Sequence, residues 1–398
     1  MNHRNVISTM YQSFIGMGLI TILWVIVGFS LAFGDDADGR GIIGNPTTFF
    51  MYNNVGALPH PFLGPTIPNT VFSMFQLMFA MITPILISGA LAERINFNAW
   101  MIFISIWHLA VYCPLAHMVW HPAGILARWG VIDFAGGIVV EMSSGFGSLV
   151  VALFLGPRLS RREDTPANVP FVLLGTGLLW FGWLGFNAGS ALSAGSLACQ
   201  AFVTTMMSGA SGMVTWIMMD NLLGKQASAV GACNGIVVGL VAITPSCGYI
   251  TVGGAMCVGF LACSISYSIG TFFMKELQSI DDSLDVTTIH GVGGVVGFLC
   301  NGIFGSLHVN PAGQDGLVYG QGITLAKHIA VVLCVVPCVV ASTYAIFYIT
   351  NCIVPVRVSA EDEEVGLDVS MHNETYSHHI KDEYGSHNQS ATNSEDNA

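Results

Sequence analysis

The 398-residue chain has few charged side chains, because Asp, Glu, Lys and Arg together make up only 9% of it. A soluble domain carries about 25% of these residues, so the composition excludes an ordinary water-soluble protein. Hydrophobic residues account for 53% of the sequence, and glycine, at 46 residues, is abundant. Glycine lets helices pack closely in lipid. The composition therefore predicts an integral membrane protein.

The net charge of −12 is concentrated at one end of the chain. From Val358 to the C-terminus there are ten acids and a single base, Lys381. Such a segment is a solvated tail and does not indicate a nucleic-acid or anionic-lipid partner. We predict a transmembrane domain at 1–352 and a cytoplasmic tail at 353–398, disordered beyond about Glu374.

The sequence lacks the spacings of a metal or nucleotide site. Its ten cysteines include no C-x-x-C pair and no Cys/His ligand pattern, so we interpret them as small hydrophobic residues. The string GRGIIG (39–44) fits G-x-G-x-x-G, but no strand or βαβ unit surrounds it. We expect no enzyme activity, no metal and no organic cofactor.

Long apolar runs define the architecture. Ten runs of about 20 residues are present, at 8–33, 70–92, 98–117, 134–157, 170–191, 199–220, 227–245, 249–274, 286–305 and 325–351. We predict an all-α polytopic membrane protein, because a bilayer demands internally bonded backbone and the runs lack the alternation of a barrel.

Basic residues predict the orientation, because they are enriched in cytoplasmic loops. A cytoplasmic N-terminus puts eight of them inside: Arg4, Arg94, Arg158, Arg161, Arg162, Lys225, Lys275 and Arg357. It leaves three outside: Arg40, Arg128 and Lys327. Both termini are then cytoplasmic.

Glu141 interrupts an otherwise uncharged run from Phe134 to Gly156. An acid inside a membrane helix costs about 2.5–3.5 kcal/mol on insertion scales, and such residues usually face a pathway. We expect burial to favour its neutral form, as for His290. The alternative is a structural carboxylate bonded to the backbone or to hydroxyls such as Ser143 and Ser144.

Two sets of residues share one spacing. In each set an ionisable side chain follows an Asp by eight positions, and a Gly follows that side chain by four. The sets are Asp133, Glu141 and Gly145, and Asp282, His290 and Gly294. Each stands at the start of a span, and the two spans run in opposite directions in the predicted topology. Inverted repeats place functional groups at their interface, so the repeated spacing suggests one shared pathway. Coincidence in a glycine-rich chain is the alternative.

Several strings resemble the ammonium transporter family (Amt/Mep/Rh), in particular its Amt/Mep branch. They are GALAERINF (89–97), PLAHMVWHPAGILARWGVIDFAGG (114–137), WFGWLGFNAGS (180–190), TPSCGYITVGGA (244–255), DDSLDVTTIHGVGGVVG (281–297) and VRVSAEDEEVGLDVSMH (356–372). The match is collinear to about Tyr376. The resemblance implies a homotrimer in the plasma membrane, with one pore in each subunit, that moves ammonium and its analogue methylammonium.

The resemblance also assigns roles to residues that would otherwise be interpreted as core or lipid-facing aromatics. It implies an outer recruitment site for ammonium at Trp120 and Ser190, with Phe75 on its wall. Below it, Phe79 and Phe186 match a stacked phenyl gate. The face of Trp120 would attract the cation.

Three acidic or basic positions complete the implied pathway. Asp133 matches a structural acid near the recruitment site. His290 matches the second of two facing pore histidines, and Glu141 stands where the first is usual, as in a subset of eukaryotic members. The pair would pass ammonia and a proton by separable routes.

Position 1 aligns with the end of the family's first helix, so ten spans are expected where the family has eleven. Two alternatives to transport remain. One is an ammonium sensor that signals through the tail, and the other, suggested by the missing helix, is a non-conducting regulatory subunit. The segment EEVGLD, by resemblance, lies along the cytoplasmic face and contacts the neighbouring subunit.

Overall fold

A computed structural model describes residues 3–159, 166–274, 276–277 and 279–376. Within these residues, nine helices are long and apolar enough to cross a membrane. They are α1 (His3–Phe33), α2 (Asn69–Leu91), α3 (Phe97–Trp129), α4 (Gly137–Leu155), α5 (Val169–Gly189), α6 (Ser196–Leu222), α8 (Val252–Met274), α9 (Thr287–Phe304) and α10 (Ile323–Ile353). The all-α membrane fold is confirmed.

The seventh predicted span, 227–245, is a shorter apolar helix, α7 (Ala229–Ile243). Its side chains are mostly buried between α6, α8 and α9, so its apolar character serves the interior of the bundle. The segment between α1 and α2 contains a small antiparallel hairpin of β1 (Pro59–His60) and β2 (Gly64–Pro68).

Helix ends follow capping chemistry. Asn96, Asn168, Ser228 and Thr251 precede α3, α5, α7 and α8, and each side chain accepts a hydrogen bond from a backbone N–H of the first turn. These residues satisfy donors that an apolar helix cannot satisfy itself. Helix α3 is broken after Trp120, where a turn leads to a short helix at Ile125–Trp129.

Both α4 and α9 begin with a π-helical turn, at Gly137–Met142 and Thr287–Val292, and these turns contain Glu141 and His290. A π-helical turn re-aims side chains and is frequent at functional sites. An added Cβ on Gly145 of α4 would overlap the backbone of Gly291 in α9. The backbones of the two helices are therefore in contact where the helices cross.

The tail folds back onto the bundle through two short helices, α11 (Ala360–Val365) and α12 (Leu367–His372). Arg357 forms a β-bridge with Ile95, which ties the tail to the segment between α2 and α3. The Asp368 carboxylate accepts hydrogen bonds from the backbone of Ser8 at 2.7 Å, so it caps the start of α1. We call the end of the bundle that α11 and α12 contact the tail end. The sequence predicts disorder beyond about Glu374, and residues 377–398 of that stretch lie outside the described residues, as do Arg161, Arg162 and Lys275.

Candidate functional site

A cavity of about 110 Å³ opens at the end of the bundle opposite the tail. Phe79, Trp120 and Ser190 line it, together with Gln76 and Phe134. One water molecule needs only about 10–15 Å³ of such a cavity, so the space is large enough for a small polar ion. Three of the residues predicted from the sequence therefore meet at one site.

Trp120 is held by its indole nitrogen. Its Nε1 donates a hydrogen bond to the backbone carbonyl of Asp133 at 3.0 Å. The ring also lies beside Gly136, where an added Cβ would come within 3.3 Å of it. Because the N–H is already used, what the indole offers to a ligand is its π face, which attracts cations.

Ser190 supplies an acceptor. Its hydroxyl donates to the backbone carbonyl of Phe186 at 2.9 Å, which leaves the oxygen lone pairs available. Phe75 occupies a neighbouring position. Its ring lies 4.9 Å from that of Phe79 and packs against Gly189, and it does not line the cavity. Phe75 thus supports the wall from behind.

Phe79 and Phe186 form a stacked pair. Their ring centroids are 3.9 Å apart with an angle of 29° between the planes, so no passage remains between the rings. Trp183 packs against Phe186 at 5.8 Å and is anchored by a bond from its Nε1 to Thr244 Oγ1 at 2.9 Å. The pair closes the cavity on one side.

Asp133 does not face the cavity. Its carboxylate accepts three backbone hydrogen bonds, from Gly136 at 2.9 Å, Gly137 at 2.7 Å and Ile138 at 2.8 Å, and so caps the start of α4. Burial raises the pKa of this carboxyl, while the backbone N–H bonds act in the opposite direction. Its contacts are those of a structural acid.

Glu141 and His290 are in direct contact. Oε2 of Glu141 lies 2.7 Å from Nδ1 of His290, across a sequence separation of 149 residues. The glutamate is fully buried and the histidine is 6% exposed. One proton can be held between the two atoms, on either of them.

The expected alternative partners of Glu141 do not bind its carboxylate. The Ser143 hydroxyl donates to the Val139 carbonyl and the Ser144 hydroxyl to the Val140 carbonyl, each at 2.6 Å. Each hydroxyl has a single hydrogen, so neither serves the acid. The Glu141 carboxylate is therefore bonded to His290 and not to these hydroxyls, and its role in a pathway stays a prediction.

The sequence model of a family described as Ammonium Transporter Family matches residues 1–377. The chain belongs to the ammonium transporter family. As a member of that family it is a multi-pass membrane transporter and not an enzyme. The resemblance inferred from the sequence strings is confirmed.

Individual members show the same relationship. An ammonium transporter of Bacillus subtilis is 39% identical over 371 residues, which cover 93% of this chain and 90% of that protein. Ammonium transporter 1 of Dictyostelium discoideum is 37% identical over 385 residues, or 95% and 81%. The crystal structure of Saccharomyces cerevisiae Mep2 superposes with a TM-score of 0.84 at 33% identity, covering 91% of this chain and 81% of that one.

Both repeats of this ammonium transporter family fold begin in the same way. Asp282 accepts a hydrogen bond from the backbone of Thr287 at 2.6 Å, as Asp133 does from the first turn of α4. In each repeat a buried ionisable residue, Glu141 or His290, follows the capping aspartate by eight positions. The spacing noticed in the sequence is thus the spacing from the capping aspartate to that residue.

Gln76 and the second carboxylate oxygen of Glu141 are features of the site that the sequence did not predict. Gln76, which lines the cavity three residues before Phe79, was not predicted, although a glutamine inside an apolar span is the signal that marks it. Among the described residues, neither Gln76 Oε1 nor Glu141 Oε1 has a hydrogen-bond partner. Both are therefore buried acceptors without a protein donor in the described part of the chain.

Proposed function

We propose that this chain transports ammonium by capturing the cation in the Trp120 cavity, removing a proton at the phenyl pair, and passing ammonia along Glu141 and His290. The observation that carries the proposal is that the cavity adjoins both the phenyl pair and the helix that holds Glu141. Phe79 lines the cavity and stacks on Phe186, while Trp120 packs on the first turn of the helix that holds Glu141.

Capture uses two complementary features. The face of Trp120 attracts a cation, and the Ser190 hydroxyl supplies an oxygen acceptor at the same cavity. An ammonium ion carries only donors, so a site of one π face and an oxygen acceptor suits it. Phe75 belongs to the wall that supports this site.

Deprotonation follows from the apolar surroundings beyond the cavity. Phe79 is buried and Phe186 is partly buried, and their stacked rings offer no hydrogen-bond acceptor to a cation. A naked ammonium ion is strongly disfavoured in such an environment, whereas neutral ammonia is tolerated. The rings therefore act as a gate that admits the neutral molecule.

Glu141 and His290 then handle the proton and the ammonia. Glu141 takes the place of the first histidine of the pair usual in the family. Both partners accept and donate protons, and the unpartnered Glu141 Oε1 can receive a hydrogen bond from ammonia. Proton and ammonia cross together but by separable routes.

The cavity faces the extracellular side of the plasma membrane, and the tail from residue 353 is cytoplasmic. The positions of the arginines support this orientation. Arg4 bonds to the carbonyl of Glu364 and Arg357 to the Glu363 carboxylate, both at the tail end. Arg128 bonds to the carbonyl of Arg40 at the opposite end. Three copies of the chain assemble in the lipid bilayer, each with its own pore.

The test is uptake of methylammonium, with the current evoked by ammonium, for the purified chain in liposomes. Saturable uptake with current is expected. Uptake without current would restrict the mechanism to ammonia. Absence of both, in a protein that still binds methylammonium, would overturn transport in favour of a sensor or non-conducting subunit. Empty liposomes and Glu141→Ala protein serve as controls.

A further inference from the structure

We propose that Asn301 is a positioning residue of the ammonium-capture site, because its amide braces the segment that anchors Trp120. This inference rests on the proposed transport function. Asn301 lies in the last turns of α9, eleven residues after His290, and is fully buried.

The Asn301 amide nitrogen makes two hydrogen bonds to backbone. Nδ2 donates to the carbonyl of Ile132 at 3.1 Å and to the carbonyl of Pro245 at 3.0 Å. Both partners are acceptors, so only a group with two N–H bonds satisfies them together. A carboxylate of the same shape would face two carbonyl oxygens.

These two hydrogen bonds belong to a larger set that joins residues 132–135 to the end of α7, and we call this set the seam. Phe134 N–H donates to the Pro245 carbonyl at 3.0 Å, and Ala135 N–H donates to the Thr244 carbonyl at 3.1 Å. Asn301 ties one end of the seam to the helix that carries His290. The braced segment thereby has little freedom to shift.

The segment is the anchor of the capture site. Its Asp133 carbonyl accepts the Trp120 indole N–H, and its Asp133 carboxylate caps α4. Ile132, whose carbonyl Asn301 holds, is the residue immediately before Asp133. A displacement at Ile132 would pass through one peptide unit to the carbonyl that orients Trp120.

The second repeat contains a counterpart. Asp281 precedes the capping Asp282 as Ile132 precedes Asp133, and its carbonyl accepts a hydrogen bond from Nη2 of Arg94. Arg94 is also fully buried and bonds to the carbonyl of Gly156 at 3.1 Å. In both repeats, therefore, a buried side chain braces the carbonyl that precedes the cap.

The two braces differ in charge. Burial lowers the pKa of Arg94 to about 10, which leaves the guanidinium charged at neutral pH. A cation at the equivalent place beside the capture site would repel ammonium. The neutral amide of Asn301 supplies the same hydrogen bonds without that repulsion.

The test compares Asn301→Ala, Asn301→Ser and Asn301→Asp with the unchanged chain in liposomes. We expect the KM for methylammonium to rise about three- to tenfold in Asn301→Ala, as for the loss of one or two hydrogen bonds, with the maximal rate within about twofold. Asn301→Ser keeps one donor and should be intermediate. Asn301→Asp should improve at acidic pH, where a protonated carboxyl regains one donor.

Two further measurements separate positioning from general structure. The fluorescence of Trp120, taken as the difference between each protein and its Trp120→Leu form, should change in Asn301→Ala. Combining Asn301→Ala with Trp120→Leu should raise KM no further than Trp120→Leu alone. Thr350→Val, which removes a buried hydroxyl bonded to the Ile346 carbonyl at the tail end, should leave KM and the Trp120 signal unchanged.

An unchanged KM and an unchanged Trp120 difference spectrum in folded Asn301→Ala or Asn301→Ser protein would overturn the inference. Additive effects in the double variant would do the same. If the unchanged chain carries no methylammonium, the proposed function fails, while the Trp120 spectra of the Asn301 variants still decide whether Asn301 positions Trp120.

Discussion

Gly294 of α9 lies directly against Glu141 of α4, because an added Cβ at Gly294 would come within 2.8 Å of the Glu141 Cβ. The reverse also holds, since Gly145 of α4 lies against the backbone at His290 and Gly291. Each repeat thus supplies a buried ionisable residue and, four positions later, a glycine that makes room for the other repeat at that residue. This reciprocity explains the shared spacing.

Substitution at Gly145 should therefore be severe. In Gly145→Ala the new methyl group would overlap the backbone of Gly291, which cannot rotate away, and the pore helices would separate. We expect little folded protein by gel filtration in detergent. Gly185→Ala is the matched control, because an added Cβ there meets nothing within 4 Å. Equal yields from both variants would contradict the close crossing.

Glu141→Gln should separate stability from proton handling. The amide keeps the size of the side chain and a hydrogen bond to His290, but it cannot exchange a proton. We expect normal folding and at least a tenfold loss of the ammonium-evoked current in liposomes. Glu361→Gln, an exposed tail acid, should change nothing. A full current in Glu141→Gln would exclude Glu141 from the proton route, and Glu141→His should restore current.

Removal of a gate ring should affect selectivity. Phe186→Ala deletes one member of the stacked pair and opens a path for hydrated ions, so we expect a potassium current that the unchanged chain lacks. Phe181→Ala is the control, because this ring on the same helix is 78% exposed and faces away from the bundle. If ammonium flux and ion selectivity are both unaltered in Phe186→Ala, the two rings are not a gate.

Loss of the Trp120 ring should weaken capture. A cation–π contact contributes about 0.5–2 kcal/mol, so Trp120→Leu should raise the KM for methylammonium roughly three- to thirtyfold with little change in maximal rate. The comparison variant is Trp129→Leu, whose ring is 45% exposed and lies outside the cavity. An effect on maximal rate alone would place Trp120 in the conduction step.

The tail end should show a pH-dependent stability. Burial alone would raise the pKa of Asp281, but hydrogen bonds and charge from Arg158, with the charge of Arg94, outweigh it and lower the pKa to about 2. A carboxyl whose pKa is lowered by folding stabilises the fold at pH values above its ordinary pKa. That contribution is lost as the pH falls through the pKa of the folded protein. The contribution is about 2 kcal/mol near neutral pH.

Thermal unfolding in detergent from pH 7 to pH 2 measures this contribution. The unchanged chain should lose stability between about pH 4 and pH 2, over the interval set by the ordinary and the lowered pKa of the acid. Asp281→Asn should be less stable at neutral pH and show a shallower decline. Parallel curves for the two proteins would mean that the Arg158 contact does not stabilise the fold.

The class of protein could be predicted from local properties of the chain. Scarce charge and long apolar runs require membrane helices, because an unpaired backbone group is too costly in lipid. A lone acid in such a run marks a pathway for the same reason. Glu141, His290 and the spacing from Asp133 were visible because each departs from an apolar background.

Partners across the bundle were decided only by the tertiary structure. Nothing in the sequence near Glu141 indicates that its carboxylate meets His290 rather than Ser143 or Ser144, since these bonds depend on how α4 and α9 cross. The same holds for Asn301, an ordinary residue in an apolar run until Ile132 and Pro245 are brought beside it. Composition and spacing determine which segments enter the membrane, but contacts between distant segments depend on packing, which a linear pattern does not encode.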